Sequence, residues 1–162
     1  MPKIKLKLST DSINQALKEV KAYQKKVEGA REGIVKVATE MGVEEAKNQA
    51  LYMNAYDSGD LVNGIVAEYR DGKGYIHSTA MHTMFVEMGT GVTGKNSPGS
   101  TIPGWEYDVN EHGEEGWYYY DDDGRKHWTK GMPSRPFMYE TAKTLRHSIP
   151  WIAEGVIKGE QA

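Results

Sequence analysis

Leu61-Val62-Asn63-Gly64-Ile65-Val66-Ala67-Glu68-Tyr69 and Tyr75-Ile76-His77-Ser78-Thr79-Ala80, on either side of Asp71-Gly72-Lys73-Gly74, are the stretch on which the fold turns. Two runs rich in β-branched and aromatic residues around an Asp-Gly pair predict two antiparallel strands closed by a tight turn. Upstream, Asp57-Ser58-Gly59-Asp60 is turn chemistry. Before that turn the pattern changes to the helical period. Val37, Ala38, Met41, Ala46 and Ala50 form one stripe of a helix running from about Ile34 to Met53. Gly42 inside it should cost about 1 kcal/mol relative to Ala. An earlier helix, capped by Thr10, Asp11 or Ser12, carries Ile13, Leu17 (with Ala16), Val20 and Val27 on one side, and Gly29 should break or bend it. At the N-terminus, Ile4, Leu6 and Leu8 alternate with Lys3, Lys5 and Lys7 as in a short half-buried strand.

Downstream, Met81 to Met88 spans one or two helical turns and ends in Gly89-Thr90-Gly91. From Val92 to Gly104 glycine, serine and proline dominate, which predicts a long loop of the kind that carries function. Trp117-Tyr118-Tyr119-Tyr120 and Lys126-His127-Trp128-Thr129 then flank the turn Asp122-Asp123-Gly124 as a second hairpin. Pro133 and Pro136 introduce a last helix to about Lys158, with Phe137, Ala142, Leu145, Ile149, Ile152 and Val156 as its apolar positions, and Pro150 should kink or split it. The expected fold is α+β. A mostly antiparallel sheet of about four strands packs on the N-terminal helices and a C-terminal helix, in a single domain over 1–162 with a loop and β-hairpin inserted at about 92–130.

Composition narrows the function. A hydrophobic fraction of 38% with 27% charged residues is lean for a core, yet far from a chain that cannot fold. The absence of cysteine removes disulfides, thiolate metal sites and cysteine nucleophiles together. The N-terminus lacks the apolar run of a signal peptide, and no stretch approaches a membrane span, so assembly in the cytoplasm without a membrane partner is expected. The net charge of −3 is unevenly spread. Trp105 to Trp128 holds a local −6, and the rest of the chain sums to +3. Residues 1–36 carry a local +5, a cationic face without the high pI of a dedicated nucleic-acid binder.

Three chemical signals fail on their context. Gly89-Thr90-Gly91-Val92-Thr93-Gly94-Lys95-Asn96 is one residue short of a phosphate-binding loop. Ser97-Pro98-Gly99-Ser100 cannot propagate the helix such a loop needs after its lysine, and Asn96 lacks the hydroxyl that binds Mg²⁺. Asp121, Asp123 and Gly124 imitate part of a calcium loop, but Tyr119 and Lys130 stand at its first and twelfth positions. The histidines at 77, 82, 112, 127 and 147 show no metal-binding spacing, and no nucleophile elbow is present. No catalytic residue, cofactor or metal site is therefore expected.

The aromatic insertion carries more weight. Trp105, Tyr107, Trp117, Tyr118, Tyr119, Tyr120 and Trp128 cluster in it. A platform for single-stranded nucleic acid would want cations beside the rings, and the local charge has the wrong sign. Aromatics among acids suit a hairpin that packs on its own domain or inserts against a neighbouring subunit.

Three segments, taken together, resemble the small neck proteins of long-tailed phages and prophages, also described as head-to-tail joining, tail-component or tail-completion proteins. Asp57-Ser58-Gly59-Asp60-Leu61-Val62-Asn63-Gly64-Ile65 is similar to the family's D-T-G-x-L-x-x-S-I, Phe85-Val86-Glu87-Met88-Gly89-Thr90 to its Y-V-E-F-G-T, and Arg135-Pro136-Phe137-Met138 to its R-P-F-[LM]. The motif positions are Asp57, Gly59, Leu61, Val86, Glu87, Gly89, Thr90, Arg135, Pro136 and Phe137. The resemblance implies a structural virion protein, not an enzyme. It would join head to tail as one subunit of a homo-oligomeric ring, a hexamer, between the portal or connector and the tail tube, with DNA only passing through the lumen. Gly89 and Gly91 should then hold one end of the inserted loop, while Arg135, Pro136 at a first helical position and Phe137 in the core hold the other. Two rival readings remain. One is a nucleic-acid-associated protein using the basic region Lys3 to Lys36, and the other a hydrolase or nuclease drawing on Glu87, Asp57 and His82.

Overall fold

A computed structural model describes residues 9–55, 59–97, 102–104 and 115–159. The expected strand at Ile4, Leu6 and Leu8 lies outside them, as do Asp57, Trp105 and Tyr107. Helix α1 (Thr10–Tyr52) opens at Ser9, whose backbone is extended and whose hydroxyl accepts the Ser12 N–H at 3.4 Å. It runs unbroken for 43 residues, about 65 Å at 1.5 Å per residue. The two expected helices are thus one. Gly29 costs only about 1 kcal/mol in a helix, and the lysine, glutamate, alanine and arginine residues around it carry the helix through.

Ala30 is the first buried residue of α1, followed by Thr39, Gly42, Ala46 and Ala50. Gly42 is a contact position rather than a defect. A Cβ there would run into the Ile76 and Leu145 side chains, so the missing side chain lets the first hairpin and the last helix both approach α1. Gly74 does the same from the other side, since a Cβ on it would collide with Thr39.

Gly59, left-handed at φ 91°, stands at the N-cap of the single turn α2 (Asp60–Asn63). Leu61 to Asn63 are therefore helical, and the first strand begins later than expected. Strands β1 (Ile65–Arg70) and β2 (Lys73–Ser78) pair antiparallel with Arg70 opposite Lys73. Asp71 and Gly72 between them both have positive φ, 55° and 69°, the two-residue turn that matches strand twist. Ile65, Tyr69, Gly74 and Ile76 share the face towards α1, with the Tyr69 hydroxyl donating to the Lys36 carbonyl at 3.5 Å.

Helix α3 (Thr83–Met88) follows; the Thr83 hydroxyl bonds the Ala80 carbonyl at 2.6 Å. The expected loop from Val92 begins instead with a helical turn, α4 (Gly91–Lys95). Strands β3 (Trp117–Tyr120) and β4 (Lys126–Thr129) form the second hairpin with the expected boundaries. The two hairpins stay separate two-stranded sheets and do not merge into one sheet of four. Each closes on its own turn, with α3, α4 and the rest of the chain to residue 116 between them in sequence, so β3–β4 hangs from the ends of the insertion rather than from an edge of the first hairpin.

Helix α5 (Phe137–Lys158) lies antiparallel along α1 and makes the main helix–helix contact, with Leu145 at Gly42 and Val156 at Gly33. Its inward positions are Phe137, Thr141, Leu145, Ile152 and Val156. Thr141, not Ala142, takes the second of them, because its hydroxyl donates to the Phe137 carbonyl at 2.7 Å and so goes inside satisfied. Ile149 is exposed. α5 continues through Pro150 without splitting: Pro150 and Arg146, whose carbonyl loses its partner, are both on the exposed side. The core joins Ala46, Ala50, Ala55, Leu61, Ile65, Val86 and Phe137. Among the described residues more large apolar side chains are exposed than buried.

Candidate functional site

Helix α5 begins without a local cap. Pro136 stands at its N-cap rather than inside the first turn, and its side chain bonds no N–H, so the amides of the first turn need an acceptor from elsewhere. Glu87 supplies it. Its Oε2 accepts the Met138 N–H at 3.0 Å and its Oε1 the Tyr139 N–H at 2.9 Å, which sets a carboxylate against the positive end of the helix dipole. Glu87 is only 4% exposed, and this burial pushes its carboxyl above the usual glutamate range. The Met138 and Tyr139 N–H groups pull in the opposite direction, and Glu140 adds to the rise. Of the hydrolytic grouping of Glu87 with Asp57 and His82, the structure describes two members. Both Glu87 oxygens are held by backbone N–H groups, His82 is exposed at the start of α3, and Asp57 lies outside the described residues.

Around Glu87 the two ends of the insertion are zipped together. The Ser134 hydroxyl donates to the Glu87 carbonyl at 2.7 Å, and the Ser134 N–H donates to the Ser97 hydroxyl at 2.9 Å. The Arg135 N–H donates to the Val86 carbonyl at 2.8 Å. Thr90 bonds Met132 twice: its N–H donates to the Met132 carbonyl at 2.9 Å, and its hydroxyl accepts the Met132 N–H at 3.0 Å. The Thr93 N–H reaches the Lys130 carbonyl at 3.1 Å. Gly89, Gly91 and Gly131 have φ of 77°, 58° and 96°, and a Cβ on Gly131 would run into the Thr90 carbonyl. The chain therefore leaves and re-enters the domain through one clasp.

The described residues of the three segments meet here. Leu61, Val86 and Phe137 share one core, Glu87 caps the helix that Phe137 opens, and Thr90 closes the clasp. The role of Glu87 escapes the sequence reading, although a signal for it exists. A helix beginning Arg135-Pro136-Phe137 carries no local acceptor, so a buried acid elsewhere has to provide one.

Beyond the clasp the hairpin stands largely exposed. Tyr118, Tyr120, Lys126 and Trp128 share one face, and Trp117, Tyr119, His127 and Thr129 the other. Tyr118 meets Trp128 edge-on at 4.7 Å between ring centroids, with Lys126 Nζ 4.0 Å from the Tyr118 ring centre. Tyr119 stacks on His127 at 5.3 Å. Trp117 is half-buried, its ring against Gly91, so it joins hairpin to clasp. Tyr118, Tyr119, Tyr120 and Trp128 remain 47–68% exposed. Neither β3 nor β4 packs substantially on any helix or on the first hairpin. Asp121 holds the turn: its Oδ1 accepts the Arg125 N–H at 2.8 Å, and its Oδ2 lies 2.7 Å from His127 Nε2. The Arg125 N–H, then His127, hold its carboxyl below the usual aspartate range.

Lys95 closes α4 instead of opening a helix, so the helix start that a phosphate-binding loop places at its lysine is not there. Among the described residues no cluster of histidines and carboxylates has the make-up of a metal site, and no helix is long and apolar enough to cross a membrane. In comparisons with family models, curated proteins and solved structures, nothing matches the chain.

Proposed function

We propose that this chain is a structural virion protein of a tailed phage or prophage, a neck or tail-completion subunit that joins head to tail as one member of a sixfold ring. Its partners would be further copies of itself, the portal or connector and the tail-tube protein, with DNA passing through the lumen. The observation that carries the reading is the convergence of the three resembling segments. Leu61, Val86 and Phe137 in one core and Glu87 on the α5 N-terminus give those residues a scaffold task that needs no substrate. The scaffold presents an aromatic hairpin on a fixed clasp, and tyrosine and tryptophan on an exposed, anchored element suit a protein partner.

The rival nucleic-acid reading rests on the basic region Lys3 to Lys36, of which Lys18, Lys21, Lys25 and Lys26 stand exposed on the first half of α1. Negative-stain microscopy and sedimentation of the concentrated chain test the first reading, which expects closed rings with a central hole. DNA binding that weakens steeply with salt, by a chain that never oligomerises, would replace it with the second.

A further inference from the structure

The first half of α1 carries an apolar stripe that no other element among the described residues covers. Over residues 10–29, about 30 Å of helix, no residue is buried. Ile13, Leu17, Val20 and Val27 nevertheless recur at helical spacing, 42–53% exposed, with Tyr23 beside them. Lys18, Lys21 and Lys25, at steps of three and four, form an exposed basic rail along one flank. The hairpin carries the complement. Its Tyr118–Tyr120–Trp128 face is exposed, with Lys126 over the Tyr118 ring, and its tip holds Asp121, Asp122 and Asp123, of which Asp121 bonds His127 and Asp123 pairs with Arg125 while Asp122 stands exposed.

Resting on the ring reading above, we infer that the α1 stripe of one subunit docks on the aromatic face of the β3–β4 hairpin of the next copy. Branched aliphatic side chains against rigid rings give the affinity, and the lysine rail beside the aspartate tip sets the register. Stripe against stripe would instead set the lysines of both copies along one seam. A self-complementary contact of that kind also stops at a dimer, whereas two different surfaces on each subunit generate a ring or a filament.

Cross-complementation tests the pairing. Leu17→Glu with Val20→Glu spoils the stripe. Tyr120→Ser with Asp122→Lys spoils the hairpin face without touching the Tyr118–Trp128 pair. All four positions are exposed, so both variants should melt with the parent. Sedimentation of each variant alone should show its association midpoint raised by roughly tenfold or more. Mixed in equal amounts, the two should form a heterodimer that grows no further, because only one intact stripe and one intact hairpin can meet. Assembly of either variant as readily as the parent overturns the inference, and so does a mixture that stays monomeric. In those cases the ring reading survives if the parent assembles. A parent that stays monomeric at every concentration removes both.

Discussion

The clasp and the hairpin it carries are built on opposite terms. At the clasp, side chains and backbone of Glu87, Thr90, Ser97, Met132 and Ser134 bond one another across long stretches of chain, and glycine stands where a Cβ would collide with backbone. In the hairpin, the rings of Tyr118 and Trp128 meet each other, Lys126 lies over Tyr118, and all three remain exposed. Polar groups satisfied inside a chain fix its geometry, whereas large aromatic surface left outside is available to something else. The contrast predicts that substitutions in the core and clasp will change stability, and those on the hairpin will change assembly.

The largest expected effect is at Phe137, which is fully buried between the clasp and α1. Phe137→Ala should cost about 3–5 kcal/mol, read as a large fall in melting temperature. An unchanged midpoint would contradict the placement of α5. Next comes Glu87→Ala, which strands two part-buried N–H groups at the start of α5 and should cost about 1–3 kcal/mol. Its pH dependence sharpens the point. With the folded carboxyl raised, the Glu87 contribution is fully present below the unfolded pKa and is lost as pH rises through the folded value, above the usual glutamate range. Glu87→Gln should therefore flatten the stability curve in that window. An unaltered curve would mean that the carboxyl does not titrate there.

Gly42→Ala, harmless in an isolated helix, should here destabilise by about 1–3 kcal/mol, because Ile76 and Leu145 must move aside. A stabilised variant would show that α1, β2 and α5 are not in contact at that point. Truncating Tyr118 or Trp128 should cost no more than about 1.5 kcal/mol of folding stability while weakening association. The smallest effect is at Lys95, exposed at the end of α4. Lys95→Ala should leave melting and assembly unchanged, and calorimetry with ATP or GTP should detect no tight binding to either protein. Micromolar nucleotide affinity abolished by the change would contradict the scaffold reading.

What was legible in the sequence was local. Asp71-Gly72 closes β1–β2 and Asp122-Asp123-Gly124 lies in the turn of β3–β4, because positive-φ turn chemistry sits between runs of β-forming residues. Phe137 goes to the core as its place after Arg-Pro suggests. What escaped depends on distant partners. Gly42 reads as a flaw until Ile76 and Leu145 are seen against it. Gly91–Lys95 has poor helix propensity and turns helical where Lys130 and Thr90 hold its N–H groups. The single four-stranded sheet failed because period-two patterning identifies strands without saying which edges meet. For the interface, the aromatic hairpin was visible as composition, while the open stripe on α1 appeared only once no other element among the described residues covered it.

The most direct test of the assembly claim is the oligomeric state of a chain in which Gly91 is joined to Gly131, deleting Val92 to Lys130. The Thr90–Met132 bonds and the core of Leu61, Val86 and Phe137 lie outside the deletion, so the shortened protein should fold. By light scattering, the account predicts a concentration-dependent ring for the parent and a folded monomer for the deletion. A deletion protein that assembles into the parent's oligomer would place the interface on the helices or the first hairpin and contradict the account.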